Sequence, residues 1–288
     1  MAYSQTSWAS GDTVSKTRLN NMESGIANAA LQADVQHLPG VTTTYDNAGA
    51  HNSIFRGKSL GSSISSTQAS NISSGKFTDL YIGDYWTINS VNWRIAAFDY
   101  WYRCGSTQLT THHAVIVPDS VLYSAPMNST NTTDGAYVGS AMYTCESCTV
   151  SSTAYTGLAD AITAIQSAFG DYVLTHDAYL ANAVTSGYPS AQAWYTDRVC
   201  DLMTEQMVYG SAVMQQMSYG GTVVANRKVE KSQLPLFALA PEYINIRAYY
   251  WLQDVASASA FVLVSSFGYT TAPGASNVYG VRPYFLIS

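Results

Sequence analysis

The chain has 288 residues, only 11% of them charged, and its 13 basic and 19 acidic side chains leave a net charge of −6. That length supports one large domain or a core with an appendage, yet ordinary soluble proteins carry roughly 25% charged residues. The scattered cations form no basic stripe to neutralise phosphates, so nucleic acid is not an expected partner; 22 tyrosines with many Ser, Thr and Asn make a polar, weakly charged surface suited to subunit interfaces or contact faces.

The opening residues, MAYSQTSWASGDTVSK, hold neither an apolar signal core nor a basic region before one. No stretch reaches the ~18 apolar residues of a membrane span, so the expectation is a chain made in the cytoplasm with no membrane contact. Residues 13–36 place Leu19, Met22, Ile26, Ala29 and Ala33 at steps of three and four, the stripe of a short coiled coil. A helix lying on its own domain is the other reading of that stripe. From Pro39 to Ser74, Gly, Ser, Thr and Asn dominate without a sustained apolar period, which reads as a linker or extended arm.

A denser region follows. Residues 81–102 contain two β-prone runs around Asn89-Ser90, with Trp86, Ile88, Val91, Trp93 and Ile95 in alternation, which predicts a hairpin. The run HHAVIVPD (112–119) predicts a strand buried on both sides. Helical spacing is read over 157–169, through Leu158, Ile162, Ile165 and Phe169, and over 190–209, through Trp194, Leu202, Met203 and Met207. The Met-rich stretch from Met203 to Met217 reads as core filling or as an adaptable contact surface. LPLFALAP (234–241), YYWLQDV (249–255), the run at 259–269 and YGVRPYFLIS (279–288) return to β character, and the last apolar run belongs inside a sheet. The overall expectation is an α+β protein.

Catalytic signatures are missing. Asp99, Asp119, Asp201, Glu205 and Asp254 form no spaced pair that sets a general acid opposite a base, and no GxSxG, HExxH, Walker or GxGxxG string occurs. Cys145 and Cys148 have metal-like spacing, but a tetrahedral site needs two more ligands, with His112 and His113 the nearest in sequence. Those histidines open a strand and point to opposite faces, so they cannot both serve one site. A disulfide formed outside the cell or inert thiols are the alternatives for the cysteine pair. No cofactor, metal or catalytic residue is expected. The remaining candidates are contact residues: Tyr249, Tyr250, Trp251, Tyr269, Asn277 and Tyr279, with Phe267, which combine rigid area with polar tips; core burial is the competing reading for each.

Two stretches resemble known families. Trp8, Gly11-Asp12, and Leu19, Asn20, Glu23, Gly25 and Ile26 resemble the N-terminal motif of phage fibre, baseplate and head-fibre proteins, which implies attachment to a virion and association into a multimer, commonly a trimer. The block from about 75 to 288, through FTDLYIGDYW, VNWRIAAFDY, WLQDV and YGVRPYF, is similar to a phage and gut-bacterial domain related to C-type lectin-like and formylglycine-generating-enzyme-like folds. That resemblance implies a final core strand whose Arg282 is held by buried polar partners. The sugar-binding tripeptides Glu-Pro-Asn and Gln-Pro-Asp are absent, as is the C-terminal cysteine pair of the sulfatase-modifying enzymes.

These readings combine into an expected organisation of three parts: a virion-anchoring, oligomerising helix at 1–38, an arm at 39–74, and a C-type-lectin-like domain at 75–288. The expected function is that of a homotrimeric phage head or tail fibre without enzymatic activity, located on the virion. Its partners are other virion proteins and a host surface receptor, glycan or protein. A capsid decoration or assembly protein with no receptor role, and a glycan-acting enzyme, are the alternatives.

Overall fold

The computed structural model describes residues 46–214 and 232–288. The expected coiled-coil residues Leu19, Met22, Ile26, Ala29 and Ala33, and Met217, lie outside them. One compact unit runs from Asn47 to Ser288.

The first turns of that unit fall in the stretch read as an arm. Helices α1 (Ala48–His51) and α2 (Ser66–Ser73) are capped by Asn47 and Ser65, whose side chains accept from amides that lack a partner in the first turn. Gln68 closes a capping box with Ser65, and its Oε1 also accepts from Trp86 Nε1 at 3.0 Å. Between the helices the backbone runs extended beside the next segment, bridging Phe55 to Ile82 and Ser59 to Tyr85. Arg56 reaches the fully buried Asp84 carboxylate at 2.6 Å. From Asn47 onward this polar stretch is therefore tied into the domain by helix caps and one buried ion pair rather than by an apolar period.

The hairpin forms where the alternation placed it. Strands β1 (Tyr85–Ile88) and β2 (Val91–Phe98) pair with Trp86 opposite Trp93 and Ile88 opposite Val91. Asn89 and Ser90 take φ of 51° and 64°, the positive pair that a two-residue type I′ turn needs to match strand twist. Serine is strained there, so Ser90→Gly is expected to raise stability by roughly 0.5–1 kcal/mol after the entropy cost of glycine. A urea midpoint that stays level or drops would contradict this.

Strand β3 (Ala114–Pro118) is buried at every position, as its unbroken apolar run requires. Short strands β4 (Tyr123–Ala125), β5 (Cys148–Val150) and β6 (Thr153–Tyr155) flank helix α3 (Ala141–Thr144). Helix α4 (Ala159–Phe169) then buries Ala161, Ile165 and Phe169, one residue per turn. Phe169 meets Trp86, Trp93 and Phe285 edge-on or tilted at 5.2–6.0 Å, a contact of about 1.5–3 kcal/mol by burial alone.

The second expected helix, 190–209, is not one. After β7 (Val173–Leu174), strands β8 (His176–Thr185) and β9 (Tyr188–Arg198) form a long hairpin, and β10 (Cys200–Leu202) follows; only α5 (Glu205–Tyr209) is helical. Ser186 and Gly187 turn the hairpin with φ of 54° and 82°, and Trp194 packs on Tyr179 across the strands at 5.0 Å. Aromatic and β-branched residues gain more from such cross-strand pairing than from a helical stripe. Met203 and Met207 are fully buried, whereas Met214 is exposed. LPLFALAP also departs from expectation: Pro235 at a helix start nucleates α6 (Pro235–Leu239).

Strands β11 (Tyr250–Ser257), β12 (Ala260–Val264), β13 (Thr270–Thr271), β14 (Tyr279–Val281) and β15 (Pro283–Ile287) complete the fold. One six-stranded antiparallel sheet has the order β1-β2-β3-β15-β10 with β7 also on β15, and a five-stranded sheet has the order β13-β12-β11-β14-β4. The mixed α+β class is thus as expected, with strands dominating. The final apolar run lies inside its sheet: β15 pairs with β3 on one side and with β10 and β7 on the other, and all five residues are buried. In the second sheet, β14 joins β11 in parallel at Tyr250–Gly280. Gly280 permits that approach, since a Cβ there would stand 2.6 Å from the Tyr249 carbonyl oxygen.

Arg282 is fully buried between the two sheets' closing strands. Its Nε donates to the Pro118 carbonyl at 2.8 Å and one terminal nitrogen to the Tyr243 carbonyl at 2.9 Å. The guanidinium also lies over the Tyr250 and Phe237 rings, 5.0 and 5.5 Å from their centroids, where the negative ring faces offset part of its desolvation.

Candidate functional site: an aromatic sheet end

The register of the second sheet gathers the expected contact residues at one end. Tyr250 is opposite Val264 and Gly280, so Tyr249, the turn after Val264 and the residues before Gly280 share that end. The turn is closed by Ser265, whose amide donates to the Tyr269 carbonyl at 2.8 Å. Gly268 takes φ 87°, and its carbonyl accepts from the Tyr209 hydroxyl at 2.9 Å, which pins the turn to α5.

On this support Phe267 and Tyr269 stand 74% and 57% exposed, with parallel rings 6.3 Å apart. Tyr249 is 38% exposed and lies 5.4 Å from Tyr279; Tyr279, half-buried, rests edge-on against Trp251 at 5.3 Å. Asn277 is exposed, donating to the Gly274 carbonyl at 3.0 Å, and Val278 is exposed beside it. Arg247 and Glu242 are exposed on the loop before Tyr249. Such a face offers apolar area with hydroxyl and amide tips on a rigid scaffold.

Tyr250 and Trp251 do not belong to it. Both are fully buried, because β11 is covered on both faces. The Tyr250 hydroxyl donates to the Ile244 carbonyl at 3.1 Å and Trp251 Nε1 to the Ala125 carbonyl at 2.8 Å. Alternation along the strand could not reveal the second cover, which comes from the loop at 240–247. Val278 escaped the sequence reading because a single valine carries no contact signal.

A second constellation was invisible in sequence. Glu205 and Asp254, 49 positions apart, meet in the interior: the Glu205 amide donates to Asp254 Oδ2 at 2.6 Å. The Glu205 carboxylate accepts from the Val213 and Met214 amides at 3.0 Å and from the Thr270 hydroxyl at 2.7 Å. Burial, with Glu205 adjacent, pushes the Asp254 carboxyl up to about 8. Asp254 also lines a crevice of about 30 Å³ with Trp101, Leu180, Gln192, Gln206 and Gln253, room for one or two waters. The two carboxyl groups thus secure backbone, with Asp254 neutral at pH 7.

The histidine pair shares one carboxylate. Asp99 binds His112 Nδ1 at 2.6 Å and accepts from the His113 amide at 3.0 Å. His113 is fully buried, and burial lowers it to about 4, so its Nε2 accepts from the Trp101 amide at 3.0 Å as a neutral ring. Cys145 and Cys148 are free thiols, both raised by burial and so poor thiolates. Among the described residues no group of three or more His, Cys, Asp or Glu is placed to hold a metal ion. No described helix is long and apolar enough to cross a membrane. Comparison with protein-family models, with curated proteins and with solved structures finds no match.

Proposed function

We propose that this chain is a homo-oligomeric phage virion protein, a head or tail fibre, that anchors through its N-terminal segment and binds the host cell surface through the aromatic sheet end. In this reading the domain is C-type-lectin-like, turns over no substrate, and works by ring contact and amide hydrogen bonds multiplied over the copies in an oligomer. The largely antiparallel sheets and the buried Arg282 between β14 and β15 support the fold assignment. The observation that carries the receptor reading is the exposure of Phe267 and Tyr269 on a turn fixed by hydrogen bonds, since large apolar area held rigidly in water marks a contact surface.

Labelled full-length chain is expected to bind cells of a susceptible bacterial strain, and joint substitution of Tyr249, Phe267 and Tyr269 by alanine to weaken binding about 10-fold or more without moving the melting temperature. Its native mass should equal three 31.1 kDa chains and fall to one when residues 1–38 are removed. A monomer that binds none of a broad strain panel overturns the proposal.

A further inference from the structure

A cleft of about 430 Å³ opens between the β1–β2 turn and helix α4, within the ~300–1,000 Å³ typical of small-ligand sites. One wall is a single face of α4: Asp160, Thr163, Ala164 and Ser167 fall at i, i+3, i+4 and i+7. The other includes Val91 and Leu122, both half-buried.

The hydrogen-bonding capacity of the lining is one-sided. The Thr163 hydroxyl donates to the Ala159 carbonyl at 3.0 Å, so toward the cleft it can only accept. The Tyr123 hydroxyl donates to the Gly157 carbonyl at 2.5 Å and accepts from the Ala161 amide at 3.2 Å. Asn89 donates to the Ser167 hydroxyl at 3.4 Å, which leaves its side-chain oxygen as an acceptor. Asp160 is an acceptor twice over and the one charged side chain of the lining. The remaining donors are the Ser167 hydroxyl and one N–H of Asn89. A carboxylate in the first turn of a helix is favourable by itself. That accounts for Asp160 but not for an open cleft beside it with surplus acceptors.

We propose that this cleft takes a primary ammonium on a short aliphatic stem, as carried by a lysine side chain or a free alkyl amine. An ammonium brings three donors and no acceptor, which matches Asp160 with the free lone pairs of Thr163 and Asn89. The methylenes of the stem lie along Val91, Leu122 and Ala164, burying apolar area as lysine stems do. Anionic ligands are repelled by Asp160, and a neutral isostere leaves the carboxylate without its countercharge. The site is independent of the aromatic sheet end, so its failure leaves the receptor proposal standing and the reverse.

The test is titration of the full-length chain by calorimetry and saturation-transfer NMR. The probes are pentylamine and Nα-acetyl-lysine methylamide, with pentanol and the Nε-acetylated lysine derivative as controls. Both amines are expected to bind with dissociation constants of roughly 10 mM or tighter and the controls not to saturate. Asp160→Asn should weaken amine binding about 3- to 5-fold. Because that change also touches the start of α4, Ala164→Leu provides a second variant that keeps the carboxylate and fills the cleft; it too should abolish binding. Tighter binding of the lysine derivative than of pentylamine points to a protein partner, and equal binding to free amines. Amine binding that survives Ala164→Leu means attraction to a surface carboxylate alone and overturns the proposal, as does the lack of saturable binding by either amine.

Discussion

Replacement of Arg282 by alanine is expected to lower the unfolding free energy by about 3–5 kcal/mol, through the cavity it leaves and the carbonyls it strands. The side chain fills the space between Tyr250 and Phe237 and satisfies the Pro118 and Tyr243 carbonyls. Truncation removes both effects at once. Arg282→Met separates them, because it keeps most of the volume and removes the cost of holding a charge out of water. The methionine variant should therefore lose less than half of what the alanine variant loses. Denaturant unfolding measures both, and an alanine variant within about 1 kcal/mol of the parent would show that the guanidinium is not what joins these elements. The Tyr243 carbonyl belongs to the loop that covers Tyr250, so the alanine variant should also loosen the aromatic sheet end.

The second large effect is on the pH dependence of stability, through Asp254. Its carboxyl is raised from 3.8 to about 8 by burial, with Glu205 adding to the shift. Between those values the folded chain keeps a proton that the unfolded chain releases. Stability therefore falls as pH rises across this window, by about 1.4 kcal/mol per pH unit for one full proton, and levels off above about 8. His113 and His176 act in the opposite sense. Burial lowers them from 6.5 to about 4 and about 3, so stability grows as pH rises toward 6.5, where the unfolded chain also loses those protons. The parent should thus be most stable near pH 6.5 and decline toward pH 8. Asp254→Asn cannot ionise, yet its side-chain oxygen can still accept from the Glu205 amide. It should match the parent near pH 4, exceed it by several kcal/mol at pH 8, and show no decline above 6.5. Urea titrations of both proteins at four pH values decide the matter; parallel curves would mean that Asp254 ionises in the fold as it does in the open chain.

How much of this was legible in the sequence depends on the range of the interaction concerned. The β1–β2 hairpin is local: Asn89-Ser90 and the flanking alternation specify it within a dozen residues, and the same holds for β3, α4 and the buried final strand. The 190–209 stretch failed because its stripe of Trp194, Leu202, Met203 and Met207 fits a helix, while the partner that made it a strand, Tyr179 on β8, lies outside the window. Pro235 offered a helix-start signal that the apolar letters around it masked. At the candidate site, Tyr249, Phe267, Tyr269, Asn277 and Tyr279 were readable as contact chemistry, and the structure leaves them exposed or half-buried. Tyr250 and Trp251 carry the same letters but are covered from both faces. Glu205 and Asp254 illustrate the limit: no spacing rule joins residues 49 positions apart when the sheet that unites them is itself built from distant strands.

The place of β15 has a consequence for biosynthesis. The strand that fills the centre of the first sheet is separated from β3 by 165 positions, so β3 leaves the ribosome roughly 8–33 s before its neighbour at about 5–20 residues per second. Throughout that interval Ala114, Val115 and Ile116, the residues that later pair with β15, present an apolar edge with free amides and carbonyls to every other nascent copy nearby. Productive folding must wait for residues 283–287, and a translating cell has to shield that edge until they arrive.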